Sequence, residues 1–252
     1  MLSRADIALR IVLISHRLYE KGFVTATDGN VSVRLPNGNV LITPSALNKG
    51  QVSERDLVEV SLEGTPVTLS RKPSSELGMH LFIYRQRPDV KAIVHAHPTT
   101  ATAFAAARLP LPDRLLPEVI VGIGTVPLAV YATPSTTEVA ESLAPHVMNA
   151  SVILLTNHGV VAYGSDLDEA YFKLEKTEHA AQITLIARLL GGEVPLSDAE
   201  LGRLKALGTG HYGNPIASGG PLGQEEQPLP DEQMIKQMIR EILGQSAKTK
   251  GS

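Results

Sequence analysis

At 252 residues, 43% of them hydrophobic and 19% charged, with a mean hydropathy of +0.03, the chain can bury a substantial core and lacks the compositional signature of disorder. With 23 Lys+Arg against 26 Asp+Glu the net charge is −3, so no basic field points to nucleic acid. Apolar runs such as 129–132 and 152–155 fall far short of the roughly 20 residues that span a bilayer, so no membrane partner is expected. The N-terminus shows no secretory signal, and the expected compartment is the cytoplasm.

Taken in chain order, Ile7, Ala8, Ile11, Val12, Ile14, Leu18 and Tyr19 lie near one face of a helix, which predicts an amphipathic helix over 4–20 ending at Gly22. Alternating residues on either side of Asn37-Gly38 predict a hairpin at 30–43. Ser74-Ser75-Glu76 opens a helical pattern that runs to about Arg87, with Leu77, His80, Leu81 and Tyr84 on one face. A strand follows from Lys91 to His97, then an Ala-rich helix near 99–108, a Pro-punctuated stretch and a strand at 126–131. The spacing of Ser135 and Glu138 fits a capping box opening another helix. Two apolar runs, 151–156 and 160–163, flank Asn157-His158-Gly159, and a long helix is predicted over 166–190. From about Gly208 the Gly, Pro and Gln content predicts a linker, with a terminal helix at 231–243. The alternation of strands and helices predicts one α/β domain over 1–207 with a peripheral tail over 208–252. The Asn37-Gly38 hairpin makes its sheet mixed.

The chain has no Cys, which removes disulfides and thiolate chemistry and leaves His, Asp and Glu as the strong metal ligands. His95 and His97 stand two apart on a predicted strand, where both imidazoles project from the same face. That geometry suits a shared metal; the alternative is two unrelated His at a strand end. His158 lies at a turn between strands, as a third ligand or as a turn His bonded to backbone. Glu76, at a helix start, is a candidate base beside that trio or an ordinary first-turn carboxylate. Ser74 and Ser75, with the amides of the same helix start, make an anion pocket or simply cap the helix. The turns 27–32 and 43–45 suit phosphate contacts or hairpin chemistry. His16, His80, His146, His179 and His211 read as structural or surface residues.

In order, Gly29-Asn30-Val31-Ser32-Val33-Arg34, Ile42-Thr43-Pro44-Ser45, Pro73-Ser74-Ser75-Glu76, Val94-His95-Ala96-His97 and Asn157-His158-Gly159 resemble the class II aldolase/adducin family over about residues 4–190. The resemblance implies a three-layer α/β/α fold with a mixed, largely antiparallel central sheet. It also implies a homotetramer with active sites near its subunit interfaces. It further implies a Zn2+ site, with Mn2+ or Co2+ as substitutes, held by His95, His97 and His158, with Glu76 as general base and Asn30, Ser45, Ser74 and Ser75 as a phosphate cradle. The implied reaction is reversible cleavage of a small phosphorylated sugar, a ketose 1-phosphate of the fuculose or ribulose type. The products are dihydroxyacetone phosphate and an aldehyde, formed through a metal-stabilised enediolate.

Two departures stand out. Ala46 replaces the Gly common after the Thr-Pro-Ser turn, and Leu115-Leu116-Pro117-Glu118 holds no Tyr to serve as acid toward the aldehyde oxygen. Tyr212, in the Gly-rich tail, reads as a surface residue. The alternatives are a decarboxylase of a hydroxylated aromatic acid on the same fold, or a non-enzymatic scaffold like adducin's head domain.

Overall fold

The computed structural model describes residues 2–68 and 71–211. Helix α1 (Arg4–Glu20) opens with a capping box in which Ser3 Oγ accepts the Asp6 N–H and the Asp6 carboxylate accepts the Ser3 N–H. Two backbone donors that a helix start would leave bare are thereby satisfied. The expected stripe buries Ile7, Ala8, Ile11, Val12, Ile14 and Leu18, and a fully buried Ile, Val or Leu side chain is worth roughly 1.5–3 kcal/mol. Tyr19 departs from the stripe and stays exposed. The chain leaves the helix through Gly22 at φ +68°, a conformation that carries no steric penalty without a Cβ.

β1 (Asn30–Arg34) and β2 (Val40–Ile42) form the expected hairpin. The further strands are β3 (Val58–Val60), β4 (Ala92–Ala96), β5 (Leu128–Ala129), β6 (Val152–Leu155) and β7 (Gly159–Gly164). The remaining helices are α2 (Leu77–Gln86), α3 (Thr99–Ala106), α4 (Pro117–Gly122), α5 (Glu138–Leu143), α6 (Leu167–Leu189) and α7 (Asp198–His211). β3 and α4, of 3 and 6 residues, escape the sequence reading because neither is long enough to develop a period. The capping box expected at Ser135 does not form. Ser135 sits at φ +65°, Thr137 takes the cap position without a side-chain bond, and Glu138 accepts the Thr133 N–H instead.

The seven strands run in the order β3-β2-β1-β4-β7-β6-β5. Every neighbouring pair is antiparallel except β5 with β6. The reason lies in the connections. β1–β2 and β6–β7 are joined by tight turns, which force antiparallel pairing, whereas the β5–β6 connection carries α5 as a crossover and brings the chain back parallel.

Alternate strand residues face opposite cores. Val94, Leu154 and Ala162 pack with α1, α3 and α6, while Ile93, Ile153 and Val161 pack with α2 and α5. The result is the expected three-layer α/β/α arrangement with a mixed, largely antiparallel sheet. No described helix is long and apolar enough to cross a membrane. α7, a helix of 14 residues that the sequence pattern did not predict, runs to His211, past the Gly208 at which a linker was expected to begin. The rest of that linker, Tyr212 and the helix expected over 231–243 lie outside the described residues.

Candidate active site

Three imidazoles meet at one end of the central strands. β4 presents His95, and His97 follows two residues later on the same face. Because β4 pairs with β7 through Ala96 and Val160, the β6–β7 turn carries His158 to the same point. One nitrogen from each ring lies within 4.8 Å of the other two. A tetrahedral zinc site with Zn–N bonds of about 2.0–2.1 Å needs nitrogens roughly 3.4 Å apart, a spacing that small ring rotations reach. The approach depends on Gly159: a Cβ there would stand 2.5 Å from His97 Cδ2 and 2.6 Å from the Ala96 carbonyl oxygen.

The ring nitrogens are not interchangeable. His95 Nδ1 lies 2.9 Å from the Val160 carbonyl and donates to it, which leaves Nε2 as a lone pair aimed at the cluster. That Nε2 lies 3.1 Å from His97 Nε2 and 3.1 Å from Glu76 Oε2, while His158 Nε2 lies 3.1 Å from Glu76 Oε1. The last contact is misaligned for a hydrogen bond, so Oε1 is buried without a hydrogen-bond partner. Converging imidazole lone pairs beside an orphaned carboxylate oxygen are the donor set of a divalent cation, and the trio fits one.

Burial alone would raise the Glu76 carboxyl, but His95 and His158 outweigh it and hold the group well below the usual carboxylate range. His97 is pushed down to about 3 by burial and by the neighbouring His95 and His158, which keeps it in the neutral form that binds metal. Burial also opposes charge on His95, yet the Glu76 carboxylate and the Val160 carbonyl raise its pKa.

Glu76 stands at the N-cap of α2 with φ −98° and ψ 16°, and its side chain makes no cap bond. The carboxylate turns toward His95 and His158 rather than toward the helix start. The helix start is instead served by Ser74, whose hydroxyl accepts the Glu76 N–H at 3.3 Å and whose carbonyl accepts the Leu77 N–H at 3.1 Å.

The two Ser-bearing turns are joined side by side. The Ser74 N–H donates to the Thr43 carbonyl at 3.2 Å, the Ser45 N–H donates to the Lys72 carbonyl at 3.0 Å, and Pro44 bridges Pro73. Ser74 is buried and Ser75 exposed. The Asn30 side chain, expected in the same cradle, is engaged elsewhere: Nδ2 donates to Glu76 Oε2 at 2.8 Å and Oδ1 accepts from His80 Nε2. Ala46 holds φ +55°, the backbone conformation that explains a Gly at this turn in the family pattern.

Sequence reasoning missed two residues. Lys49, only 1% exposed, donates to the Thr27 carbonyl at 3.0 Å and the Leu47 carbonyl at 2.7 Å, stapling the turn that leads into Asn30 to the turn that follows Ser45. Burial lowers its pKa to about 8 against the opposing pull of Asp28 and Glu76. No motif marks it, since a single Lys in a polar loop normally reads as solvated. His80 reads as a packing residue because it lies among Leu77, Leu81 and Tyr84; its signal was its place four residues after Glu76, one turn along the same helix face.

Residues 10–185 match the Class II Aldolase and Adducin N-terminal domain. The chain is 37% identical over 180 residues to an L-fuculose phosphate aldolase of Methanococcus maripaludis, covering 71% of this chain and 96% of the relative. It is 32% identical over 198 residues to a 3-oxo-tetronate 4-phosphate decarboxylase of Escherichia coli, covering 77% and 91%. A solved L-fuculose 1-phosphate aldolase superposes with a TM-score of 0.75 at 34% identity, covering 82% of this chain and 97% of that one. The match over most of its length, on the observed sheet order and with three His converging on a carboxylate, places this chain in the class II aldolase and adducin family.

Proposed function

We propose that this protein is a metal-dependent lyase that reversibly cleaves a ketose 1-phosphate of the fuculose or ribulose type into dihydroxyacetone phosphate and an aldehyde. The observation that carries the reading is the convergence of His95, His97 and His158 on Glu76, with Glu76 Oε1 left bare. The three imidazoles would hold Zn2+, and their chemistry also tolerates Mn2+ or Co2+. When bound, such an ion supplies a Lewis acid that stabilises the negative charge of an enediolate fragment.

The protein's own part is proton handling and positioning. Glu76, held as a carboxylate by the neighbouring imidazoles, removes the carbon-bound proton of the ketone in the condensation direction and returns it in cleavage. The Ser45, Ser74 and Ser75 hydroxyls, on turns locked together by the Thr43–Ser74 and Ser45–Lys72 bonds, receive the phosphate. Asn30 borders this cradle and orders Glu76. The low exposure of His95 and Glu76 keeps the proton transfer out of bulk water. A cytoplasmic homotetramer of the 1–207 domain, with its active sites near subunit interfaces, is the assembly that accompanies this reading.

A second reading is decarboxylation, favoured by the 32% identity to a 3-oxo-tetronate 4-phosphate decarboxylase. By its name that relative acts on a phosphorylated 3-oxo acid rather than the hydroxylated aromatic acid expected from the sequence, so a phosphate cradle serves both readings. Both also end with a proton delivered to an enolate carbon. Metal-loaded protein offered ketose 1-phosphates and phosphorylated 3-oxo acids separates them. Release of dihydroxyacetone phosphate, lost in Glu76→Gln, supports the aldolase. Carbon dioxide from the 3-oxo acids alone transfers the conclusion to the decarboxylase. Purification without stoichiometric metal and silence on both panels sinks both readings and leaves the scaffold.

A further inference from the structure

We infer that His80, neutral with its proton on Nε2, is a positioning residue that orients the Asn30 amide so that its nitrogen, not its oxygen, faces Glu76. The inference rests on the reading of Glu76 as the proton-transferring base. The sequence marks His80 as packing, and the family motifs quoted above do not include it.

The argument begins with two periods that coincide. Asn30 and Ser32, two apart on β1, project from one face of the sheet. Glu76, His80 and Tyr84 lie at i, i+4 and i+8 along one face of α2 and its cap. The two rows interleave into a single chain of contacts: Tyr84 OH to Ser32 Oγ at 2.9 Å, Ser32 Oγ to His80 Nδ1 at 2.7 Å, His80 Nε2 to Asn30 Oδ1, and Asn30 Nδ2 to Glu76 Oε2 at 2.8 Å. Ser32 and His80 are 0% exposed and Asn30 2%, so water cannot stand in for any member.

Donor arithmetic then sets every direction. A carboxylate only accepts, so the Asn30 nitrogen must face it and the Asn30 oxygen must face His80. That oxygen needs a donor, so His80 carries its proton on Nε2. Burial, with His95 nearby, lowers the His80 pKa to about 3, and in the neutral ring Nδ1 is then bare and accepts the Ser32 O–H. Ser32 Oγ in turn accepts from the Tyr84 O–H. Four hydrogen bonds therefore run one way, from Tyr84 to Glu76.

An Asn amide is close to symmetric in shape, and packing alone does not choose between its two orientations. With the His80 N–H removed, rotation of the amide brings Oδ1 against Glu76 Oε2. A charge-assisted hydrogen bond is replaced by two acceptors in contact, which drives the carboxylate away from His95 and His158. Loss of an outer hydrogen-bond partner of this kind typically costs about 10–100-fold in activity.

The test has one arm that needs no turnover. Nitrogen-15 spectra of the wild-type imidazoles, metal-free and zinc-loaded, are expected to show His80 neutral with the proton on Nε2; a proton on Nδ1 or a charged ring overturns the inference. In the second arm, His80→Leu is expected to lower kcat about 10–100-fold with KM and zinc content unchanged. His80→Gln, whose amide N–H reaches toward Asn30 Oδ1, should restore most of kcat. Equal loss in both variants, or a loss confined to KM, assigns His80 to packing. Glu76→Gln is run alongside: if it turns over like wild type, the base reading fails while the spectra still decide the orientation of the relay.

Discussion

Gly159 and His97 share one space, since a Cβ on the glycine would stand 2.5 Å from the imidazole Cδ2 and 2.6 Å from the Ala96 carbonyl. The turn that presents one candidate ligand, His158, is thus packed directly on another. Gly159→Ala should displace the His97 ring and weaken zinc binding by about 10–100-fold, the range for disturbed metal supports. Competition with a chelator reads this directly, and unchanged affinity would mean that the ring and the ion site are independent.

Ion binding should also be visible as stability. Zinc at about 100 times its Kd is expected to stabilise the fold by roughly 2.7 kcal/mol, because it binds the folded state alone. Thermal unfolding across a zinc titration measures the shift. In His95→Ala the zinc dependence should vanish, and persistence of the same shift would place the ion elsewhere.

Lys49 predicts a pH dependence of known sign. Its pKa falls from 10.5 in the unfolded chain to about 8 in the fold, so between these values the unfolded chain binds more protons. Stability contributed by this group therefore rises as pH increases from about 8 to about 10.5 and is flat outside that window. Lys49→Met should remove the rise, while also loosening the turns at Thr27 and Leu47. Denaturant unfolding at pH 7.5 and pH 10 compares the two proteins, and an identical slope in the variant would falsify the assignment.

Ala46 holds φ +55°, where an L side chain costs about 1–2 kcal/mol. Glycine relieves that strain but gains roughly 0.5–1 kcal/mol of unfolded-chain freedom. Ala46→Gly should consequently stabilise the protein by about 1 kcal/mol or less, and open the turn to closer phosphate approach with a lower KM for a phosphorylated substrate. A destabilised variant would show that the Ala46 methyl makes a compensating contact.

Much of the fold was legible because its signals are local. The stripe from Ile7 to Leu18 marks α1, Asn37-Gly38 marks the first hairpin, and the short apolar run of β4 makes the two-residue spacing of His95 and His97 a shared face. Elements without a period left no trace: β3 is too short, and α4 lies hidden among prolines. The Ser135 capping box failed because a cap depends on the backbone angles of the cap residue itself, and Ser135 holds φ +65°, which the letters S-T-T-E do not specify.

Local sequence signals were enough to lay out the strands and helices that support the site and to supply three imidazoles and a carboxylate in an order that resembles one family. It took the packed fold to set the β6–β7 turn beside the end of β4, to turn the Glu76 and Asn30 side chains toward each other, and to bury Lys49 and His80 as partners of the site. The physical reason is one of range. Periodicity and capping act within a few residues, whereas Glu76 meets Asn30 across 46 positions and His95 meets Val160 across 65, separations set by sheet order and by which buried polar groups find partners.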